Sequence, residues 1–162
     1  MRQLTVISIL AAIIICSGAP TVFAQKGPDV IKMTQARASF KEGDYNGALR
    51  IYRTLYTDHG TDGMLNYRMA ECYLELNNGQ DALAYLQKAR EADPTIDKDL
   101  DYNTGLAHRM VAQQQEAITY LDKYLANEKL SKFDQDKANE LKDKCVATIE
   151  MMDNTVNVKI ES

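Results

Sequence analysis

Gly43-Asp44-Tyr45-Asn46-Gly47-Ala48-Leu49 and, 34 residues on, Asn77-Asn78-Gly79-Gln80-Asp81-Ala82-Leu83 can be laid over each other. The first stretch leads to Tyr52 and Leu55, the second to Leu86, Ala89 and Asp93-Pro94. A third copy, Gln114-Gln115-Glu116-Ala117-Ile118 followed by Leu121, comes 35 residues after the second. A period in this range marks a stacked helical solenoid. Such units make binding surfaces far more often than reaction centres.

Outward from these stretches the apolar side chains keep helical spacing. Val30, Met33, Ala36 and Phe40 recur at steps of three, three and four, which predicts a helix up to about Glu42. Gly43-Asp44 interrupts it, and Ala48, Leu49, Tyr52, Leu55 and Tyr56 form a second stripe. Together they predict a helix hairpin. Leu65, Met69, Cys72, Tyr73 and Leu76, then Ala82, Leu83, Leu86 and Ala89, predict the next. Tyr102, Gly105, Leu106 and Val111, then Ala117, Ile118, Leu121, Tyr124 and Leu125, predict a third. Ala36, Ala70 and Gly105 share one repeat position and Ala48, Ala82 and Ala117 another. Small side chains there let helix axes approach to ~8–10 Å.

Ser131-Lys132-Phe133-Asp134 has capping-box spacing, with Asp where Glu is commoner. Ala138, Leu141, Cys145, Ile149 and Met152 then predict a seventh, capping helix over 131–153, with Asp136, Lys137, Glu140, Asp143 and Lys144 on its polar face. Val156, Val158 and Ile160 alternate with Asn157, Lys159 and Glu161, so residues 154–162 are expected as a strand-like tail.

The bulk numbers agree with a folded protein. Of 162 residues, 45% are hydrophobic and 26% charged. The net charge of -4 is spread without a basic block, which argues against a nucleic-acid partner. Residues 1–24 read as a signal peptide: Arg2, an apolar run from Leu4 to Ile15, Pro20, then Val22-Phe23-Ala24 for the peptidase. That run is too short to span a bilayer well, and no transmembrane segment is expected after cleavage. The competing readings are an uncleaved anchor or, from Cys16, a lipoprotein, for which Ile15 is too large. An exported chain sits where a disulfide persists. Cys72 and Cys145 nevertheless fall on apolar stripes and read as buried thiols.

Nothing in the sequence assembles a reaction centre. Asp97-Lys98-Asp99-Leu100-Asp101 lacks the Gly and the bidentate Glu of a calcium loop, carrying Tyr102 and His108 instead, so it is expected to cap the following helix. His59 and His108 are the two histidines; the first lies near a helix end, the second at an inward position. No Cys/His pair, phosphate loop or paired nucleophile and base can be placed, so no enzyme activity, cofactor or metal is expected.

The repeat resembles the tetratricopeptide repeat. Ala36, Gly43-Asp44-Tyr45, Ala48 and Tyr52 match its pattern, as do Ala70, Tyr73, Ala82, Leu86, Ala89 and Pro94. The third unit keeps Gly105, Ala117 and Leu121 but reads Ala112-Gln113-Gln114 at the turn, with His108 where an aromatic is usual. The resemblance implies an all-α fold: three helix hairpins (about 29–61, 63–96 and 98–130, within 28–128) in a right-handed solenoid closed by the capping helix. It also implies a concave groove for a protein or peptide partner. The groove positions fall on Met33, Arg37, Phe40 and Lys41, on Tyr67, Glu71, Leu74 and Glu75, and on Asp99, Tyr102, Leu106 and Arg109. The carboxylate clamp of chaperone-binding relatives would fall on Met33, Arg37, Arg68, Asp99 and Asn103, where Asp99 repels a carboxylate.

The order of signal peptide, three repeats, long helix and Val-Asn-Val-Lys-Ile-Glu is similar to the N-terminal part of exported Bacteroidetes proteins. In those, a β-propeller and an OmpA-like domain follow, and some serve type IX secretion. The likeness implies a periplasmic scaffold for an envelope or secretion partner, with outer-membrane association as a further expectation. The alternative is a positioning module of a truncated OmpA-like, peptidoglycan-associated protein.

Overall fold

Three residues with left-handed backbone set the layout: Gly43 (φ 84°), Asn77 (φ 55°) and Ala112 (φ 61°). Each follows a helix and closes it in the same way. The N–H of Gly43 donates to Phe40 O and that of Asp44 to Ser39 O; Asn77 and Asn78 repeat this to Leu74 and Tyr73, and Ala112 and Gln113 to Arg109 and His108. This double bond pattern satisfies carbonyls a helix end leaves open and turns the chain back sharply.

The computed structural model describes residues 28–160, with side chains as far as residue 154. The expected signal peptide lies outside the described residues. The elements are α1 (Val30–Lys41), α2 (Tyr45–His59), α3 (Gly63–Glu75), α4 (Gly79–Ala92), α5 (Leu100–Met110), α6 (Gln114–Leu125) and α7 (Lys132–Ile160). Among the described residues all regular structure is helical. The helices pack pairwise as α1/α2, α3/α4 and α5/α6, each pair resting on the next, and α7 lies on α6.

The small residues do what their spacing requires. Ala36, Ala48, Ala70, Ala82 and Ala117 have no exposed surface. A Cβ added to Gly105 would lie 2.9 Å from Leu121 Cγ and 3.1 Å from Ala117 O, so α5 and α6 touch backbone to backbone there. One apolar core runs from Ala36 through Tyr52, Leu65, Met69 and Leu86 to Ala107. A second joins Tyr102, Leu121, Tyr124 and Leu130 to Ala138 and Leu141 of α7.

The start of α7 forms half of the expected capping box. Ser131 Oγ accepts from Asp134 N–H (3.1 Å) and donates to the Asp134 carboxylate (2.9 Å). Ala138, Leu141 and Cys145 are buried, and Asp136, Lys137, Glu140, Asp143 and Lys144 are exposed. The expected strand-like tail is corrected: α7 continues through Val156, Val158 and Ile160. A strand needs a neighbour to hydrogen-bond, whereas extending a helix already formed carries no nucleation cost. Cys72 and Cys145 are both free and buried.

Candidate partner-binding groove

The groove positions expected from the repeat lie on α1, α3 and α5 and the turn before α5, and packing divides them. Tyr67 (1% exposed), Leu74 (6%) and Tyr102 (8%) are buried and offer no contact area. They are core side chains, a correction to the expectation for these three. Tyr67 and Tyr102 are large enough to reach back between neighbouring helices: the Tyr67 hydroxyl accepts from Asn103 Nδ2 across α3 and α5 (2.9 Å). The Tyr102 ring packs on Tyr124, 5.5 Å between centroids. Burial raises both phenol pKa values above their usual range.

The other nine keep surface open to solvent. Met33, Phe40, Glu71, Asp99, Leu106 and Arg109 are half-buried; Arg37, Lys41 and Glu75 are exposed. Phe40 meets Tyr45 edge-on at 5.2 Å, tying the end of α1 to α2. Glu71 accepts from Arg68 Nη1 at 2.7 Å, and its pKa is raised because burial outweighs that guanidinium. Asp99, expected to cap α5, makes no cap bond with its side chain. It accepts instead from the Tyr124 hydroxyl at 2.8 Å, while Asp97 takes the Asp99 N–H (3.0 Å) and Asp101 binds Arg90 (2.7 Å). The three carboxylates of that run thus point to separate partners. Among the described residues no group of three or more His, Cys, Asp or Glu is placed to hold a metal ion.

A cleft opens between α1 and α3. It has a volume of about 350 Å³ and is lined by Pro28, Val30, Met33, Thr34, Arg37, Asp62, Met64 and Arg68. Of these, Met33 and Arg37 are groove positions expected from the repeat, and Arg68 is expected only as a position of the carboxylate clamp. The signal is available: Val30 and Met64 are 34 residues apart, as are Thr34 and Arg68, so both pairs share repeat positions. The start of α3 is fixed on both sides. Asp62 caps α3 by accepting from Leu65 N–H (2.7 Å), and Gly63 sits against Ala92, where a Cβ would lie 3.0 Å from the Ala92 Cβ. Met64 and Arg68 are then presented one turn apart opposite Met33 and Arg37.

Between α3 and α4, and again between α5 and α6, the rings pair up. Tyr73 stacks on Tyr85 (5.4 Å, 13°) and, 35 residues later, His108 stacks on Tyr120 (5.2 Å, 13°). Lys88 lies over Tyr85 at 5.0 Å and Lys123 over Tyr120 at 4.6 Å. His108 therefore fills an aromatic position as an aromatic, with Nδ1 2.7 Å from Gln113 Oε1. The Tyr120 ring is already engaged, by His108 through stacking and by Arg90 and Lys123 as cations, so it presents no bare aromatic platform.

The family model described as tetratricopeptide repeat matches residues 39–107. No curated protein matches the chain. Among solved structures the chain is similar to the second TPR domain of human RPAP3 in complex with an HSP70 peptide, at 21% identity and a TM-score of 0.60, covering 70% of this chain and 91% of that one. It is similar to the Arabidopsis OM64 TPR domain at 20% identity and a TM-score of 0.62, covering 71% and 91%. It is also similar to the type III secretion chaperone SycD of Yersinia enterocolitica in complex with a peptide of the translocator YopD, at 12% identity and a TM-score of 0.63, covering 73% and 92%. These likenesses show the fold: the chain is an all-α tetratricopeptide-type solenoid.

Proposed function

We propose that this chain is a non-catalytic protein-interaction scaffold of the bacterial envelope, which holds a segment of a partner protein on the side formed by α1, α3 and α5. The observation that carries this reading is the cleft between α1 and α3, about 350 Å³, walled by side chains at repeated positions. A surface formed in advance by packed helices spares the ordering cost that a flexible binder meets on association. The RPAP3 and SycD structures named above each hold a peptide, which supports a peptide or protein ligand for this solenoid type.

The location rests on residues 1–24, whose pattern is that of a signal peptide, and the proposed compartment is the periplasm, with outer-membrane association as the finer form. The proposed partner class is another envelope protein, and a component of the secretion apparatus is the specific candidate. Among the described residues no helix is long and apolar enough to cross a membrane.

A second reading is favoured by α7. Its 29 residues make a rod of roughly 43 Å at 1.5 Å per residue, against roughly 18 Å for the 12 residues of α6 on which it rests. An overhanging helix suits a module that positions another body, such as a wall-binding domain.

The test is a photo-crosslinking residue placed at Met64 or at Asp58 in the native host, combined with osmotic-shock fractionation. A defined adduct formed from position 64 and not from 58, in the periplasmic fraction, is the expected result. Equal adducts from both positions remove the cleft from the account. A chain that stays in the cytoplasmic fraction removes the envelope.

A further inference from the structure

We infer that the projecting end of α7 in one copy lies along α1 of another, so that copies of this chain join head to tail. The first and the last of the described helices each turn a face to solvent. On α1, Ile31, Thr34, Ala38 and Lys41 recur at steps of three, four and three, on the side away from the buried Ala36. All four are exposed, Ile31 at 70%. Thr34 and Ala38 are small enough to let a second helix axis come close. On α7, Cys145 is the last buried residue among those described. Past it, Val146, Ile149, Glu150 and Asp153 share one face, at steps of three, one and three. Val146, Glu150 and Asp153 are exposed and Ile149 is half-buried.

The two faces are opposite in charge. Between Lys144 and Lys159 the charged side chains are Glu150 and Asp153, both acidic. On and beside the α1 face stand Lys32, Arg37 and Lys41, all exposed. None of these five side chains makes an ion pair or a hydrogen bond among the described residues. Asp29, the acid before α1, is engaged as its cap, and Glu42 lies past its end. Like charges therefore oppose the pairing of α1 with α1, or of one α7 end with another. Pairing α1 with the α7 end instead brings unpaired cations to unpaired carboxylates.

Direction and length agree as well. Alternation of the helices makes α7 run the same way as α1, α3 and α5, and α3 already touches α5 in that parallel sense. Residues 146–160 of α7 span roughly 22 Å, and α1 spans roughly 18 Å. Val146 precedes Asp153 by seven residues, as Ile31 precedes Ala38. With the helices parallel, Val146 and Ile149 meet Ile31 and Thr34, while Glu150 and Asp153 come beside Arg37 and Lys41. One helix pair buries less than the roughly 1,200 Å² of a stable complex, so the association is weak and grows with concentration. Because the two faces differ, the contact is heterologous, and it propagates instead of closing at a pair.

The probe is the mature chain itself, followed by sedimentation equilibrium from about 20 µM to about 1 mM, in low and in high salt. The weight-average mass is expected to rise past twice that of the monomer without levelling, and to fall back in high salt. Two double variants read the faces. Arg37→Glu with Lys41→Glu makes the α1 face acidic, and Glu150→Lys with Asp153→Lys makes the α7 end basic. All four positions are exposed, so each variant should keep the wild-type circular dichroism spectrum. Each alone should stay monomeric over this range. An equimolar mixture should recover most of the wild-type rise, because the acidic α1 then meets the basic α7 end. Ile31→Ser leaves every charge in place and should weaken wild-type association by about fivefold or more, which covers a charge reversal that disturbs the fold. A mass that levels at twice the monomer, association that persists in either double variant, or failure of the mixture to recover overturns the head-to-tail contact. So does a wild-type chain that stays monomeric to about 1 mM.

Discussion

Ala112 holds a backbone conformation that a Cβ disfavours. Its φ of 61° repeats those of Gly43 and Asn77, and the turn after α5 keeps the same two bonds without the residue best suited to it. An L-residue in this region costs roughly 1–2 kcal/mol relative to its normal conformations, and glycine escapes that cost at the price of a freer unfolded chain. Ala112→Gly is therefore expected to stabilise the protein by about 1 kcal/mol in urea unfolding, and Gly43→Ala to destabilise it by a similar amount. A lower midpoint for Ala112→Gly would show that the turn is held for another reason. Burial sets a second residue-scale effect. It pushes the Cys72 thiol up to about 12 and the Tyr52 phenol up to about 12. Above the ordinary thiol range, about 8.5, the unfolded chain releases a proton that the folded chain keeps. The stability from this difference is whole below that range and is lost as pH rises towards about 12. Unfolding free energy should be level from about pH 7 to 8 and fall steadily from about pH 9, with the onset moved upward in Cys72→Ala. A flat profile to about pH 11 would contradict the burial of both groups.

At the scale of the helix the repeat can be followed one step beyond the third hairpin. Ala36, Ala70 and Gly105 are succeeded, 33 residues after the last, by Ala138 on α7. All four are buried. Helix α7 leans on α6 as α5 leans on α4 and α3 on α2, so its first turns stand where the first helix of another hairpin would. Among the described residues it has no second helix, and Ala147, further along, is exposed. Ala82→Leu and Ala138→Leu should each overpack a helix contact and cost on the order of 1–3 kcal/mol, whereas Ala147→Leu should change stability by less than about 0.5 kcal/mol. Thermal melts of the three variants decide it. A loss from Ala147→Leu as large as that from Ala82→Leu would mean that the outer half of α7 is covered. The helices and their pairing were legible in the sequence because small residues and turns recur at a fixed period, which only one packing satisfies. The tail was not. Val156, Val158 and Ile160 alternate as a strand would, but periodicity records a side-chain pattern and not the partner a strand requires, while α7 was already there to be extended. The groove was half legible. Repeat position identified which helix face Tyr67, Leu74 and Tyr102 belong to, but their depth depends on how closely neighbouring helices approach, which no local pattern encodes. Met64 was within reach of the same arithmetic that marked Met33 and Arg37, and Arg68 was legible only as a clamp position.

Over the whole molecule the three hairpins are unequal, and in a solenoid, where each unit leans only on its neighbours, inequality becomes a gradient of local stability. The middle hairpin is the best anchored. Eight residues of α3 are buried, and Asp62 and Asn78 cap α3 and α4 with side-chain bonds. In the third hairpin neither α5 nor α6 has a side-chain cap. A missing cap costs about 1 kcal/mol. In the first, α1 buries only Ala36, and Val30 and Ile31 at its start are largely exposed. Native-state hydrogen exchange should therefore run fastest in α1, more slowly in α5 and α6, and slowest in α3 and α4. Protection in α5 and α6 equal to that of the middle hairpin would refute the gradient. The order bears on the groove, because the cleft has one firm wall, α3, and one loose wall, α1. A ligand bridging Met33 and Arg37 to Met64 and Arg68 binds only the arrangement in which α1 is folded, so it stabilises α1 by mass action. At about a hundredfold excess over its Kd a peptide that fills the cleft should slow α1 exchange by up to about a hundredfold, leaving α5 and α6 unchanged. Slowing spread evenly over all seven helices would instead mean that the peptide binds elsewhere and that α1 is not the wall that closes on it.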